Sequence, residues 1–532
     1  MVCDAYNVPS MNDMNNELNE NEEPNVHAKR FYDLLKDAET ELYPGCEKMS
    51  KLSFIVKLLQ LKCLNHWSNK SMDALLALLK DVLPEGALVP NSFYEAKKII
   101  RDLGLDYHKI DACGNDCILY WGEHANEESC PKCKMPRWKL NRQKGKKISQ
   151  KVLRHFSITP RLQRLYMARD TAKEMRWHKE KHTNDGVLRH PADSLVWQHF
   201  DQQYPSFSID PRSVRLGLAS DGFQPFGNMS ANHSIWPVVL VPYNLPPWLC
   251  MKSPYFMMTL LILGPKCPGN EIDVYLQPMI EELKQLWEVG VQTYDAFSES
   301  NFIMYAAVLW TINDFHAYGN LSGWSTKGKF TCPCCHKDTH CISLRSKLSY
   351  MGHRRFRPQN HPWRKDAKSF DGKEELRAPP IPLTGDEALM QLEQLGNISF
   401  GKGQKRKRPT DSKAYNWRKR SIFFQLPYWK NLLIRHNLDV MHIERNVSDN
   451  LVSTVMDLLG KTKDTLKSRY DLVDLGIRSN LHPIKNGNDV YKPPAPYTLS
   501  SEKKQFLCKF LANLKVPDAF ASNISRCVNI HE

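Results

Sequence analysis

Two aspartates in this chain each follow a run of apolar residues that is typical of a buried β-strand. Asp221 ends the segment VRLGLASD, and Asp314 ends the segment YAAVLWTIND. Carboxylates at neighbouring strand ends can share divalent metal ions, and two ions about 3.5 to 4 Å apart are used by many enzymes to break phosphodiester bonds. Asp-Gly is also a common turn dipeptide, so Asp221 alone does not establish such a site.

The residues between the two aspartates favour their pairing. Two further β-like runs, IWPVVLVPYN and YFMMTLLILGP, are followed by an amphipathic helix, EIDVYLQPMIEELKQLWEVG. Three strands, a crossover helix and a fourth strand begin a ribonuclease-H-like fold, in which the first and fourth strands are parallel neighbours about 4.8 Å apart. The order predicts that Asp221 and Asp314 meet at one sheet edge. Asp295, in GVQTYDAF, is the alternative second acid if the fourth strand is this earlier run.

A third carboxylate is predicted near the start of a long amphipathic helix in HNLDVMHIERNVSDNLVSTVMDLL. Asp439, His442 and Glu444 lie in its first turns. If that end faces the two aspartates, Glu444 supplies the third acid and His442 a neighbouring ligand or proton carrier. The alternative is a helix acid that only faces solvent, as helix acids commonly do.

Four cysteines have the spacing of a zinc site: Cys113-x3-Cys117-x12-Cys130-x2-Cys133. Two close pairs separated by a short segment allow four thiolates to converge on zinc, and four protein ligands leave no open position, so the site is expected to be structural. His124, between the pairs, is expected to be a bystander. The module is rich in basic and aromatic residues suited to phosphates or to plain solvation, namely Lys132, Lys134, Arg137, Trp138, Lys139, Arg142, Lys144, Lys146 and Lys147.

A second cysteine pair, Cys332-x2-Cys335, has the spacing of half a zinc site. Its remaining ligands are predicted to be His353 with His361, and the alternative is His340 with Cys341.

Composition indicates a globular protein with a polyanionic partner. The chain has 532 residues, 42% of them hydrophobic, and 73 Lys and Arg against 58 Asp and Glu give a net charge of +15. This balance favours nucleic acid over a membrane surface. Prolines and Lys252 interrupt the most apolar window, 236–265, so no membrane helix is expected there. Fifteen cysteines without a secretion signal indicate reduced thiols inside the cell.

Two basic clusters, KRKRP at 405–409 and RKR at 418–420, fit a bipartite nuclear import signal, phosphate contacts or a solvated charged loop.

Helix caps, strand-like runs and the cysteine spacing together divide the chain into a series of predicted segments. The predicted segments are a disordered acidic tail (1–28), a helical region of three packed helices (29–105), a four-cysteine, zinc-ribbon-like module (106–148), a helical linker (149–205), a ribonuclease-H-like core in two parts (206–330 and 416–480), an insertion with the CxxC and basic clusters (331–415), and the truncated start of a C-terminal domain (481–532).

The chain resembles the transposases of plant CACTA (En/Spm) elements from about residue 31 to 526. The resemblance lies in the segments LGLDYHKIDACGNDCILYW, SCPKCKMPRWK, VLRHFSITPRLQRLYMARDTAKEMRWHKEK, DGVLRHPADS, VRLGLASDGFQPFGNMS, WPVVLVPYNLPPW, GNEIDVYLQPMIEELKQLW, LWTINDFHAYGNLSGWSTKGK, YMGHRRF, SFDGKEE and RHNLDVMHIERNV.

This resemblance implies a DDE catalytic core whose acids are Asp221, Asp314 and Glu444. It also implies a CxxC after the second acid, here Cys332 and Cys335, and a D-x-x-H beside the third, here Asp439 and His442. It further implies two Mg²⁺ or Mn²⁺ ions, transposon terminal repeats as the DNA partner, a homo-oligomer when active, a second element-encoded protein as a possible partner, and a nuclear location.

The sequence departs from the family pattern in two respects. His316 replaces the proline of NDFPAYG, and the family's Cys-rich first domain and most of its last domain are not in this sequence. Two hypotheses follow. The chain is a CACTA-type transposase that cleaves and transfers DNA strands, or it is a truncated or domesticated copy that binds DNA or other partners without catalysis.

Overall fold

The computed structural model describes residues 23–101, 106–140, 145, 147–225, 233–345, 347–394, 416–487, 489–515, 525 and 528. The chain divides into two compact units, the first made of residues 1–324 and 383–438 and the second of residues 325–382 and 439–532. Most of the predicted acidic tail (1–28) and the whole basic cluster 405–409 lie outside the described residues.

The first unit is built on a mixed β-sheet that has seven strands among the described residues. Its strands in chain order are β1 (His108–Ala112), β2 (Lys151–His155), β3 (Val214–Ser220), β4 (Trp236–Pro242), β5 (Met257–Ile262), β6 (Ala306–Asn313) and β7 (His436–Leu438). Their order across the sheet is β1-β2-β5-β4-β3-β6-β7. The predicted mixed α/β class is confirmed.

The pairing directions divide the sheet into two halves. Strands β1, β2, β5, β4 and β3 pair antiparallel, whereas β3 pairs parallel with β6, and β6 parallel with β7. The sequence prediction that the first and fourth apolar runs are parallel neighbours is therefore confirmed for β3 and β6. Parallel neighbours end at the same sheet edge, so both runs deliver their following residues to one place.

The crossover between β5 and β6 contains helix α1 (Ile272–Glu288). Its predicted apolar stripe is buried, namely Ile272, Leu276, Met279, Leu283 and Leu286. The helix continues through Pro278 and begins after a short 3₁₀ turn that contains Asn270; the residue before the helix is Glu271. Gly290, at φ 73°, follows the end of the helix.

Close packing fixes the middle of β3. A Cβ on Gly217 would lie 2.0 Å from the Tyr243 hydroxyl oxygen, so only glycine leaves room for that ring. The Tyr243 ring also lies 5.5 Å from the ring of Trp310 in β6. The contacts among these three residues pack β3, β6 and the residue after β4 closely against one another in the core.

The first unit also contains helices and two hairpins outside this sheet. Its other helices are Val26–Glu39, Lys51–Leu64, Asn69–Val82, Phe93–Ile100, Thr159–Met167, Arg169–Glu174, Trp177–Glu180, Leu195–Gln203, Pro205–Ser208, Pro247–Cys250, α2 (Phe315–Ser322) and Gly385–Glu393. Two hairpins stand apart from the large sheet and pair Trp138–Leu140 with Lys147–Ser149, and Val291–Asp295 with Ser300–Met304.

Three sequence predictions about the first unit are wrong in detail. The helical region has four helices among the described residues rather than three, and the third is capped by Ser68. The segment after residue 149, expected to be helical, contains β2, because its five residues pair between β1 and β5 far along the chain. The apolar run SIFFQLPYW, whose composition is typical of a strand, forms two 3₁₀ turns instead, in which Phe423 stacks on Trp429 with ring centroids 4.7 Å apart.

The second unit has two-stranded sheets and helices of 4 to 16 residues among its described residues. Its hairpins pair Cys341–Ser343 with Leu348–Tyr350, and Ile484–Asn486 with Asp489–Tyr491. Its helices are Pro362–Lys365, α3 (Val440–Val455), Leu466–Leu475 and Ser501–Ala512. The predicted long amphipathic helix is α3, and its apolar residues, including Met441, Val447 and Leu451, are exposed.

Within the described part of the chain, no helix has the length and apolar character needed to cross a membrane.

Candidate metal centres

The parallel pair of strands β3 and β6 brings Asp221 and Asp314 to the same edge of the large sheet. The paired register ends with Ile312 opposite Ala219. Asp314 and Asp221 both follow two residues later, so the same register places them opposite each other. Both line one cleft of about 500 Å³ in the first unit.

Asn313 joins the two strands directly before the two acids. In the orientation that satisfies its whole side chain, its amide donates to the Ser220 carbonyl oxygen at 3.2 Å and accepts from the Thr311 hydroxyl at 2.8 Å. This cross-strand bond holds the ends of β3 and β6 together at the point where the acids leave them.

Asp314 has a second, structural task at the start of helix α2. One of its carboxylate oxygens, Oδ1, accepts a hydrogen bond from the Ala317 amide at 2.7 Å and so caps the helix. Its other oxygen, Oδ2, has no hydrogen bond to the described residues. The cap fixes the direction of the side chain and leaves Oδ2 available for a cation in the cleft.

Asp221 is exposed and lies beside a tightly packed glycine. Its Oδ1 accepts a hydrogen bond from the Gly222 amide at 2.6 Å. A Cβ on Gly222 would lie 2.6 Å from the Trp236 ring, which is only 2% exposed. Glycine is therefore needed here for close approach to the ring, and this packing holds the turn that carries Asp221.

The cleft also contains residues that the sequence did not single out. Its lining consists of Asp221, Gly222, Ser234, Trp236, Pro265, Lys266, Cys267, Asp314 and His316. Because β4 runs antiparallel to β3 and β5, the start of β4 and the end of β5 lie at the edge where β3 ends, with Trp236 paired to Ile262. The predicted strand order could therefore have indicated that Trp236, which begins β4, and Lys266, which follows β5, lie near the two acids.

The donor set of this cleft suits a hard divalent cation. Two carboxylates provide oxygen ligands, which Mg²⁺ and Mn²⁺ prefer. The neighbouring Cys267 has its pKa raised by burial, and the charges of Asp116 and Asp221 add to this shift. The two carboxylates make the cleft suitable for magnesium or manganese.

Asp295, the alternative second acid, lies elsewhere. It is 0% exposed and ends one strand of the separate hairpin Val291–Asp295. Arg176 pairs with its carboxylate, and Arg212 lies 3.7 Å from the same oxygen. Both arginines neutralise a buried charge, so Asp295 has a structural role and Asp314 is the acid that shares the cleft with Asp221.

The third predicted acid belongs to the second unit. Glu444 and His442 are exposed on the first turns of helix α3, and neither side chain has a hydrogen bond or ion pair among the described residues. Asp439 caps this helix, because its Oδ1 accepts from the amides of Met441 at 2.9 Å and His442 at 3.4 Å. The cleft as described in the first unit therefore holds two of the three acids.

The four predicted zinc ligands of the first unit form one cluster. The sulfur atoms of Cys113, Cys117, Cys130 and Cys133 all lie within 4.8 Å of one another, and those of Cys113 and Cys133 are 3.4 Å apart. Tetrahedral zinc with Zn–S bonds of about 2.3 Å separates its sulfurs by about 3.8 Å. The described structure thus places the thiols at the spacing that zinc requires.

Local backbone geometry explains this convergence. Cys130 accepts an i to i+4 hydrogen bond at its carbonyl oxygen from the Lys134 amide at 2.8 Å, and Lys134 has a positive φ of 60°. In the other turn Asp116 has φ 61°. The turn that contains Cys113 and Cys117 and the turn that contains Cys130 and Cys133 each bring their two thiols to the same side of the backbone.

The cluster is largely buried, and the residue next to it contacts the crossover helix. Burial raises the pKa of Cys113 to about 11. Burial also opposes ionisation of Cys133, but hydrogen bonds from the Met135 amide, Asn115, Cys113 and Cys130 together lower its pKa to about 6. Next to it, the buried carboxylate of Asp116 accepts hydrogen bonds from Lys151 in β2 and from Tyr275 in α1. These bonds attach the module to strand β2 of the large sheet and to helix α1.

Two of the predicted phosphate-binding cations are used inside the protein. Arg137 donates two hydrogen bonds to Asp111, at 2.9 and 2.6 Å, and its guanidinium covers the Tyr120 ring. In the 418–420 cluster, Lys419 is 6% exposed and lies 2.6 Å from the Asp273 carboxylate. Burial raises the pKa of Asp273 to about 6, with Lys419 opposing the shift. Arg418 and Arg420 remain exposed.

The second predicted zinc set is not gathered as expected. Among the described residues, only the first four cysteines bring three or more His, Cys, Asp or Glu ligand atoms within 4.8 Å. His361 caps the helix Pro362–Lys365 through a 3.1 Å bond from the Trp363 amide, and the His353 ring packs on Phe370 at 5.5 Å. In the described structure His353 and His361 therefore have packing and capping contacts and do not form a ligand cluster with Cys332 and Cys335.

The first unit is therefore a mixed α/β unit with a carboxylate pair at the carboxyl edge of two parallel strands and a separate tetra-cysteine cluster. Residues 185–395 match the model of a protein family described as transposase family tnp2. This match includes Asp221 and Asp314 and ends before Glu444. It supports a transposase family for the chain, with the DNA association that such a family suggests. No curated protein matches the chain.

Proposed function

We propose that this protein is a CACTA-type DNA transposase whose cleft cuts and joins DNA strands at the ends of a transposable element. The observation that carries the proposal is the parallel pairing of β3 with β6, which places Asp221 and Asp314 in one cleft. The similarity of residues 185–395 to transposase family tnp2 agrees with it, as does the net charge of +15.

We assign the first unit's sheet to a ribonuclease-H-like catalytic core. Three antiparallel strands, a crossover helix and a fourth strand parallel to the first support this assignment. In such a core Glu444 is the third acid, and Asp439 and His442 lie beside it. The assignment of Glu444 depends on the resemblance of the segment RHNLDVMHIERNV to CACTA transposases.

Asp221 and Asp314 are the residues that hold divalent cations in this proposal. Two Mg²⁺ or Mn²⁺ ions, when bound, activate water and then a DNA 3′-hydroxyl for in-line attack on a phosphodiester. Asp314 presents Oδ2 because its other oxygen is fixed by the Ala317 amide. Asp221 is exposed, so its carboxylate is accessible to ions and to DNA.

The cleft residues next to the acids suit a phosphodiester substrate. Lys266 is exposed and supplies a positive charge to the same cleft as the carboxylates, where it can bind a phosphate oxygen. His316, exposed at the start of α2, has its ring 6.1 Å from the Trp236 ring. Both residues orient a DNA strand without forming a covalent intermediate with it.

The partners and location follow from the same proposal. The DNA substrate is the terminal repeat of the element, the active form is a homo-oligomer, and a second element-encoded protein is a candidate partner. The site of action is the nucleus. The exposed Arg418 and Arg420 contribute to import or to phosphate contacts, while the buried Lys419 does not.

A strand-cleavage assay tests the proposal. Purified full-length chain is incubated with a labelled terminal-repeat duplex in Mg²⁺, Mn²⁺ or EDTA, and nicking and strand transfer are followed on a denaturing gel. We expect metal-dependent nicking that falls at least a thousandfold, about 4 kcal/mol in the barrier, in Asp221→Asn, Asp314→Asn and Glu444→Gln, while DNA binding is retained.

Two exposed acids are matched controls. Asp170→Asn changes an exposed acid of the first unit outside the cleft, and Asp449→Asn changes one on the same helix as Glu444. Both should cleave like the wild type. A wild-type chain that binds the repeat without nicking it would favour the non-catalytic DNA-binding alternative, and undiminished cleavage by Asp221→Asn would contradict the assignment of the cleft.

A further inference from the structure

Residues 352–378 of the second unit fold around buried arginines. Arg354 and Arg364 are only 1% and 2% exposed. Arg354 donates a hydrogen bond to the Trp363 carbonyl oxygen at 3.2 Å, and Arg364 donates one to the Arg357 carbonyl oxygen at 3.2 Å. These bonds satisfy the two guanidinium groups inside the protein and fix the backbone at Trp363 and Arg357.

Four rings of this segment contact one another in a row. The ring centroids of His361 and Trp363 are 5.3 Å apart, those of Trp363 and Phe370 are 6.3 Å apart, and those of Phe370 and His353 are 5.5 Å apart. Trp363 is nevertheless 50% exposed. A tryptophan that is held by its neighbours and still faces solvent offers a flat apolar surface, and little side-chain entropy is lost when a ligand covers it.

Unpaired positive charge accompanies the aromatic row. Arg357 is exposed, and its guanidinium lies over the Trp363 ring, 5.1 Å from the centroid. Lys365 and Lys368, which follow Trp363 closely in the chain, are also exposed. None of these three cations has an ion pair among the described residues. They are therefore available to an anionic ligand.

The acids of the same segment are mostly used to hold its structural arginines. Asp371 accepts a hydrogen bond from Arg354 at 2.6 Å, and Glu375 pairs with Arg377. Glu374 is exposed. The exposed cations outnumber it, so the surface around the aromatic row carries net positive charge, which is complementary to phosphate.

This combination of an exposed ring and cations suits an unpaired nucleotide. A base that is not stacked in a duplex can lie on an aromatic side chain, while basic residues follow the phosphates of the strand. In a duplex the faces of the bases are covered by their neighbours, so a ring such as Trp363 has no base face to contact. The chemistry therefore favours a single strand over a duplex.

We propose that the row His353, His361, Trp363 and Phe370, together with Arg357, Lys365 and Lys368, forms a binding surface for single-stranded DNA. A base stacks on the Trp363 ring, and the Arg357 guanidinium beside it binds a phosphate. The choice of DNA rests on the proposed function, whereas the preference for unpaired nucleotides rests on the exposed ring.

Fluorescence anisotropy tests this surface without strand cleavage. The full-length chain is titrated into a labelled mixed-sequence single strand of DNA, its duplex, and RNA of the same sequence, without Mg²⁺ or Mn²⁺. We expect the single strand of DNA to bind most tightly and Trp363→Leu to bind it about tenfold more weakly. Trp363→Phe retains a ring and should lose much less. Trp248→Leu changes an exposed tryptophan of the first unit and should bind like the wild type.

The salt dependence of binding tests the role of Arg357. Loss of one phosphate contact on a single strand reduces the slope of log affinity against log salt by about 0.7. Arg357→Gln should show this reduction, whereas Arg30→Gln, at an exposed position of helix Val26–Glu39, should keep the wild-type slope. An unchanged slope in Arg357→Gln would remove the phosphate contact from the proposal.

Photocrosslinking locates the contact in the wild-type chain, independently of how the variants fold. A single strand that contains 5-iodouracil should crosslink to the peptide that contains Trp363, as identified by mass spectrometry. Crosslinks confined to other peptides would overturn the proposal. Limited proteolysis should give the same pattern for Trp363→Leu and the wild type, since leucine keeps the apolar contacts.

The remaining outcomes distinguish this surface from the proposed catalytic function. Wild-type affinity in Trp363→Leu, equal affinity for single strand and duplex, or tighter binding of RNA would each contradict a surface for single-stranded DNA, even if the chain nicks terminal repeats. Binding of single strands through Trp363 by a chain that does not nick would support the surface and contradict only the catalytic proposal.

Discussion

The cysteine cluster and the carboxylate cleft of the first unit are built in opposite ways. The four cysteines lie within 21 residues of sequence, are largely buried and form their centre through two local turns. Asp221 and Asp314 are 93 positions apart (314 − 221) and meet only because two parallel strands pair. Their side chains are exposed or half-buried beside a cleft.

This difference shows how structure separates a stabilising metal site from a candidate catalytic one. A closed set of soft ligands fills every position around its ion and contributes to folding. An open pair of hard ligands leaves room for water and substrate, and depends on the sheet for its geometry. The first site is expected to affect stability, and the second is expected to affect chemistry.

The largest expected effect is the loss of the cysteine cluster. Cys113→Ser/Cys130→Ser removes two of four thiolates, and structural zinc contributes about 10 kcal/mol or more to the folding of small modules. We expect residues 106–150 to become sensitive to protease, measured by limited proteolysis with mass spectrometry. Asp221→Asn should keep the wild-type digestion pattern, and equal protection of both variants would show that the cluster does not stabilise its module.

A buried ion pair anchors the crossover helix that connects the two acidic strands. Lys419→Met leaves the Asp273 carboxylate buried without its cation, and breaking such a pair costs about 3 to 5 kcal/mol. The free energy of unfolding from urea denaturation should fall by this amount. The control Arg420→Met changes an exposed neighbour and should shift it by less than about 0.5 kcal/mol. Equal effects would contradict the structural role of Lys419.

Acid should weaken the first unit through a buried histidine. Burial and the neighbouring Arg215 lower the pKa of His178 to about 3, from a value near 6.5 in an unfolded chain. The folded state therefore binds fewer protons, so the stabilisation is present above pH 6.5 and decreases as pH falls toward 3. Between pH 7 and 5 we expect a loss of about 2 kcal/mol, measured by urea denaturation.

A variant isolates this contribution. His178→Gln removes the titrating ring, so its stability should vary less between pH 7 and 5 than that of the wild type, by about the same 2 kcal/mol. An unchanged pH dependence in this variant would assign the acid sensitivity to other groups.

The two tasks of Asp314 can be separated by two substitutions. Asparagine caps helices as well as aspartate does, whereas alanine loses about 1 kcal/mol of capping. Thermal unfolding should therefore place Asp314→Asn near the wild type and Asp314→Ala below it. Neither variant should cleave DNA. If Asp314→Asn cleaved DNA, the role of Asp314 would be limited to capping helix α2.

Much of the fold around the two sites could be predicted from the sequence, because the patterns that indicate its strands, helix and cysteine cluster are local. The apolar runs of β3 to β6, the buried stripe of α1 and the cysteine spacing are all visible in short windows. The parallel pairing of β3 with β6 followed from their order and the crossover between them.

What the sequence did not reveal depends on distant contacts or on local strain. Strand β2 forms because it pairs with β1 on one side and with β5 on the other. Neither partner strand lies in the short stretch of sequence around residue 153, so local patterns did not predict it. The roles of Lys419 and Asp295 were hidden because their partners, Asp273 and Arg176, are 146 (419 − 273) and 119 (295 − 176) positions away. The positive φ of Lys134 has no sequence signal of its own.

Binding of Mn²⁺ to the full-length chain is the most direct test of the carboxylate cleft. Free Mn²⁺ is measured by electron paramagnetic resonance during titration of zinc-loaded protein, so that the cysteine cluster is already filled. We expect binding by the wild type and by Asp170→Asn, and at least tenfold weaker binding by Asp221→Asn and by Asp314→Asn. Equal Mn²⁺ affinity in all four proteins would contradict the conclusion that the two strand ends form a divalent-cation site.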